Sequence, residues 1–143
     1  QPHRTADEVS TWAQQAASDV LSFKQSDYKS RLMGFKKYFV ASGWQPYAAW
    51  VKEMRLIDMV TQQNYLSVNG IVDAAPDVTS QGVAGGTYHW LGRVPAIISL
   101  RREEGGDTLG HYRVFLDIER IKEEDIEKDG LAIAGWRAER IGP

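Results

Sequence analysis

Imidazole chemistry in this chain has three possible carriers, His3, His89 and His111. His3 lies in a stretch expected to fray, so metal binding or proton transfer has to use the other two. His89 and His111 fall on the polar parity of two adjacent segments that alternate like strands, and Asp117 shares that parity. A His, His, carboxylate cluster is therefore one arrangement the pattern permits. The alternative is a solvated sheet face with titrating surface histidines. Cysteine is absent, which removes disulfides, thiolate metal sites and cysteine nucleophiles together. Gly82, Gly85 and Gly86 lack the spacing of a phosphate cradle and read as turns and a bulge. No GxSxG motif marks a serine nucleophile. No catalytic residue, metal ligand or cofactor is expected.

Recognition chemistry is better represented. Between Lys24 and Arg55 seven bases (Lys24, Lys29, Arg31, Lys36, Lys37, Lys52, Arg55) face two acids, Asp27 and Glu53. Such an excess suits a partner-facing patch, or simply solvates helices. From Glu119 to Asp129 six acids oppose three bases, the reverse sign. A helix carrying both Trp44 and Trp50 is hard to bury along one stripe, so one of them is a candidate interface anchor, the alternative being core. The candidate interaction surface is Lys36, Lys37, Tyr38, Trp44, Trp50 and Arg55.

The elements that must position these residues change character midway. Thr5 and Glu8 form a capping box, and Val9, Trp12, Ala13, Ala16, Val20 and Phe23 recur at helical spacing behind it. A break near Ser26 precedes a shorter helix from Tyr28 that ends in the aromatic plug Phe35, Tyr38 and Phe39. Ser42 and Gln45 suggest a second capping box, with Pro46 in the first turn of a third helix reaching about Gln62. From Tyr65 onward alternation replaces helical periodicity. One strand runs from Thr87 to Arg102 with Tyr88, Trp90, Val94, Ile98 and Leu100 on one face. A second runs from Gly110 to Ile121 with Tyr112, Val114, Leu116 and Ile118 inward, and Gly105, Gly106 and Asp107 join the two as a hairpin. A last strand from Leu131 to Arg140 carries Ile133 and Trp136. Helices first and strands second define an α+β order, with helices covering one face of a curved antiparallel sheet. The inward face contains no carboxylate or imidazole, which argues against an acid/base site between helix and sheet.

At 143 residues, with 43% hydrophobic and 25% charged residues, the chain suits one domain, with helices over about 6–62 and the sheet over about 64–140. A net charge of -2 gives no general attraction for nucleic acid, and direct nucleic-acid binding is not expected. No stretch approaches the roughly 20 apolar residues that span a bilayer.

Lys37, Tyr38 and Phe39, then Gly43 and Trp44, then Gln81, Gly82 and Val83, then Tyr88 with Trp90, then Val94 and Pro95, follow one another in an order that resembles the DotI/IcmL family. These are inner-membrane subunits of type IVB secretion systems, similar to the TraM proteins of conjugative plasmids. The likeness extends from about Val9 to Ala138 and takes in Trp12, Ala16, Val20, Ser22, Phe23, Asp27 and Tyr28, and the final run from Gly130 through Ile133. It implies a cone-shaped helix-on-sheet fold of the cystatin-like or nuclear transport factor 2-like kind. It further implies the periplasmic domain of a single-pass inner-membrane protein, anchored by a segment upstream of Gln1. That domain would be non-enzymatic, self-associating, and in contact with other core subunits of the secretion machine. The acidic run from Lys122 to Asp129 and the tail from Arg137 to Pro143 have no match in the family pattern. The competing expectation is a free-standing cone-fold protein or enzyme that binds or transforms a small apolar molecule in an open pocket lined by Tyr88, Trp90, Tyr112 and the first helix, with a titratable group inside.

Overall fold

The computed structural model of the chain describes residues 4–122 and 130–143. Helix α1 (Ala6–Val20) begins where Thr5 Oγ1 accepts the Glu8 N–H at 3.2 Å and Glu8 Oε1 accepts the Thr5 N–H at 2.9 Å. Two donors that the helix ladder cannot use are thereby satisfied. Val9, Ala13, Ala16, Ala17 and Val20 form its buried stripe, and the three alanines let the helix lie close to the sheet.

The helix ends at Val20, earlier than its apolar spacing suggests, because the sheet captures the chain. Ser22 Oγ donates to Ser18 O at 2.7 Å and accepts the N–H of Gly70 at 3.0 Å, and Phe23 leaves the helix for strand β1 (Phe23–Lys24). Helix α2 (Tyr28–Gly34) and a 3-10 turn (Phe35–Tyr38) follow.

The third helix departs from expectation at both ends. Helix α3 (Ala41–Glu53) starts before Ser42, with Val40 at the capping position and no side-chain cap. The Val40 N–H donates to Ile133 O at 3.1 Å and fixes the chain on the last strand first. Ser42 therefore sits inside the first turn and turns its hydroxyl outward to Ala134 O at 2.8 Å, while Pro46 lies within the helix. At its far end the helix does not continue to Gln62. Arg55 takes a left-handed backbone, φ 58, and a separate α4 (Leu56–Thr61) begins there.

Six strands make one antiparallel sheet in the order β1, β2 (Ser67–Val72), β4 (Thr87–Arg101), β5 (Gly106–Arg120), β6 (Leu131–Gly142). Strand β3 (Asp77–Ala84) pairs with the first half of β4, beyond the stretch that β2 occupies. Gly85 and Gly86, φ 59 and 81, close the β3–β4 hairpin as a two-residue turn that only left-handed backbone permits. Residues from Arg137 onward are not an appendage, since β6 stays paired with β5 as far as Gly142. The acidic run 123–129 lies outside the described residues.

Trp90, Val94, Ala96, Ile98 and Leu100 of β4 and Tyr112, Val114, Leu116 and Ile118 of β5 are buried beneath the helices, in the register read from alternation. Helix α1 lies on β2 and β4, and α3 lies on β6. Gly43 lets α3 come down onto β6, because a Cβ there would stand 2.1 Å from Ile133 O.

Candidate functional site

The histidine cluster assembles differently from its sequence parity. His89 stands opposite Glu119 across β4 and β5, with Nδ1 2.7 Å from Asp117 Oδ1 and Nε2 3.7 Å from Glu119 Oε2. His111 is opposite Ile97, about 26 Å along the strand at roughly 3.3 Å per residue. The cluster is thus one imidazole between two carboxylates, and among the described residues no group of His, Asp and Glu is arranged to hold a metal ion. It lies on the sheet face away from the helices, in parity with Leu91, Arg93 and Phe115.

Of the three aromatics expected to line a pocket, Trp90 and Tyr112 are core and Tyr88 packs against that core, partly buried. Trp90 is fully buried and Tyr112 nearly so, while Tyr88 tilts against Trp90 with ring centres 4.9 Å apart.

The six surface candidates divide into three groups. Lys36, Lys37 and Tyr38 of the 3-10 turn and Trp44 of the first turn of α3 form two separate cation–ring pairs. Lys36 Nζ lies 5.4 Å from the Trp44 ring centre and Lys37 Nζ 5.3 Å from that of Tyr38. Both lysines are exposed and both aromatics are half-buried, an arrangement in which each cation sits over an electron-rich face. The Tyr38 hydroxyl is bonded to Asp19 at the end of α1, and its ring meets Trp12 edge-on at 6.1 Å. Arg55 is at the other end of α3, which has 13 residues and is about 20 Å long. It pairs with Asp58 at 2.7 Å and does not join the patch. Trp50 is buried rather than displayed. It is 9% exposed, packed 5.4 Å from Trp136 and 6.4 Å from Tyr112, because β6 and β5 wrap the side of α3 that looked free.

Two hollows flank the patch and the elbow. One, of about 160 Å³, lies between α1 and α2 and is lined by Asp19, Ser30, Arg31, Lys37 and Tyr38. Arg31 closes it by donating to Ser22 O at 3.2 Å while covering the Phe35 ring at 5.2 Å. Asp19 and Arg31 were not among the sequence candidates, since Asp19 belongs to the polar side of α1 and only the tertiary fold brings it to Tyr38. The other hollow, of about 820 Å³, is an open groove along α3 and α4, lined by Ala49, Lys52, Arg55, Ile57 and Asp58.

The helices cover one face of the antiparallel sheet with apolar side chains, and the two cation–ring pairs lie outside that core. The chain belongs to the DotI/IcmL family, described as type-IV b secretion system, inner-membrane complex component, whose model matches residues 1–140. Among solved structures it is similar to the periplasmic domain of DotI, at 20% identity, TM-score 0.87 and 99% coverage of both chains. It also resembles an IcmL-like type IV secretion system protein from Legionella pneumophila, at 19% identity, TM-score 0.82, and coverage of 99% of this chain and 97% of that one. A periplasmic fragment of TraM aligns at 13% identity and TM-score 0.82, over 93% of this chain and 96% of the fragment. No curated protein matches the chain.

Proposed function

We propose that this chain is the periplasmic domain of a single-pass inner-membrane subunit of a type IVB secretion or conjugation machine. It acts there as a non-enzymatic assembly part that self-associates and binds other core subunits. The observation that carries this reading is the family match over residues 1–140. The likeness to periplasmic domains of DotI and TraM supports the compartment, and the packed inner face supports a role without chemistry.

The contact surface is the patch of Lys36, Lys37, Tyr38 and Trp44, where exposed cations and half-buried rings offer an acidic partner both charge and an anchor. Arg55 and Trp50 are left out of it. The test is the double variant Lys36→Glu with Lys37→Glu in the bacterium that makes the protein. Transfer of cargo is expected to fall while the variant accumulates at the normal level and melts at the normal temperature. Transfer at the wild-type rate would remove the patch from the assembly surface.

A further inference from the structure

The sheet ends on β6, and the two halves of that edge differ. Ahead of Gly135 the edge is covered by the chain itself, through Val40 N–H to Ile133 O at 3.1 Å, Ser42 Oγ to Ala134 O at 2.8 Å, and the close approach of Gly43. From Trp136 to Gly142 the backbone is bonded to β5 on one side, and among the described residues nothing is bonded to it on the other. An open row of strand donors and acceptors is a template for another strand.

We propose that this edge pairs antiparallel with the same edge of a second copy, about a two-fold axis passing through Ala138. The charges select that register. Directly opposed residues of an antiparallel pair lie on the same sheet face. With Ala138 on the axis, Arg137 of each copy is opposed to Glu139 of the other, giving two opposite-charge pairs and no like pair. Shifting the axis to Arg137 opposes the two arginines, to Glu139 the two glutamates, and to Arg140 two arginines again. Within one chain Arg137 already lies 3.1 Å from Glu139 and over Phe115 at 3.9 Å, so both charges are held on the outer face at the edge. An isologous contact of this kind closes after two copies and does not propagate. This deepens the self-association in the proposed function and rests on that reading only for its relevance in the cell.

Because the chain has no cysteine, Ala138→Cys tests the axis directly. On the axis, two such cysteines would have Cα atoms about 4.5–5.5 Å apart, within disulfide reach. Under mild oxidation this variant is expected to form a covalent dimer far faster than Ser80→Cys on the exposed strand β3. In sedimentation experiments Arg137→Glu and Glu139→Arg should each weaken self-association about tenfold or more. The first variant then carries two acids and the second two bases, so an equimolar mixture should form a mixed dimer, and the double swap in one chain should restore self-pairing. Circular dichroism of each variant confirms the fold; the double swap controls for the lost Arg137 to Glu139 pair within the chain, and Arg113→Ala, which removes the other partner of Glu139 at 3.7 Å, controls for that second pair and should leave self-association unchanged. Cross-linking no faster than at Ser80, or single variants that associate like the wild type, would overturn the proposal. The two charges would then be guards that keep a bare edge single. Loss of this pairing with other secretion components still co-purifying would sink the edge alone, while pairing in a chain that binds none of them would sink the assembly reading alone.

Discussion

Single residues hold the helical layer to the sheet, and Tyr47 and Gly43 do so in opposite ways. Tyr47 is fully buried, stacked on Phe39 at 4.8 Å and edge-on to Trp136 at 5.0 Å, and its hydroxyl donates to Val20 O at 2.6 Å. That carbonyl belongs to the last turn of α1, where the helix has no amide left to offer. Tyr47→Phe keeps the packing and strands the carbonyl, so it should lower unfolding free energy by about 1–2 kcal/mol in urea titrations; an unchanged midpoint would mean the bond contributes nothing. The same burial pushes the Tyr47 phenol far above its usual 10.0. Hydrogen bonding to Asp107 raises Tyr65, and desolvation raises Tyr112. The folded chain therefore keeps phenol protons that the unfolded chain releases near pH 10.0. Stability should be insensitive to these groups below that pH and fall as pH climbs through it, with a shallower fall in Tyr47→Phe. Denaturant midpoints measured on both sides of pH 10.0 check the sign. Gly43 works by having no side chain, and Gly43→Ala places a Cβ 2.1 Å from Ile133 O and 2.7 Å from its carbonyl carbon. Backbone atoms of a paired strand cannot step aside, so the cost should be about 1–3 kcal/mol. A melting temperature equal to that of the wild type would show that α3 has room to lift.

Among the elements, those with signals inside their own residues were legible in the sequence. The capping box of Thr5 and Glu8 is one, and it carries its own pH dependence. Hydrogen bonds from the Thr5 amide and hydroxyl hold the Glu8 carboxyl below its usual 4.5. Its support for α1 is accordingly complete above that value and lost as pH falls through the lower, folded one. Protection of the Thr5 amide, taken relative to its intrinsic exchange rate, should fall on acidification in the wild type, and protection of the Glu8 amide should be lost at every pH in Thr5→Ala. Equal exchange in both at neutral pH would contradict the cap. The long strands β4 and β5 were equally readable, because strict alternation puts every second residue in one core. Elements decided by distant partners were not. Ser42 has the residues of a cap but is overruled by the Val40 bond to Ile133, ninety-odd positions away. Phe23 fits the stripe of α1 but joins β1 because Val68 stands ready to pair with it. Trp50 looked surplus on its helix, and only the closing of β6 over α3 makes it core. The patch shows the same limit. Lys36 with Trp44 and Lys37 with Tyr38 are near in sequence and pair in space, whereas Arg55 shared their charge but lay a helix length away.

At the scale of the whole molecule, Phe39, Trp44, Tyr47, Trp50, Tyr112 and Trp136 join α3 to β5 and β6, and the inner sheet face is closed by apolar side chains. What remains for partners is the outside: a cationic aromatic corner, the groove at the α3–α4 elbow, the helix-free sheet face and the bare end of β6. A molecule so built is suited to being one part of a larger body, as its family description states. The most direct measurement of that claim is to tag the full gene product in its own bacterium, separate the membrane and soluble fractions, and identify what co-purifies. The account predicts recovery from the inner-membrane fraction together with other type IV secretion subunits, with this domain open to protease from the periplasmic side. Recovery from the cytosol, free of secretion subunits, would contradict it.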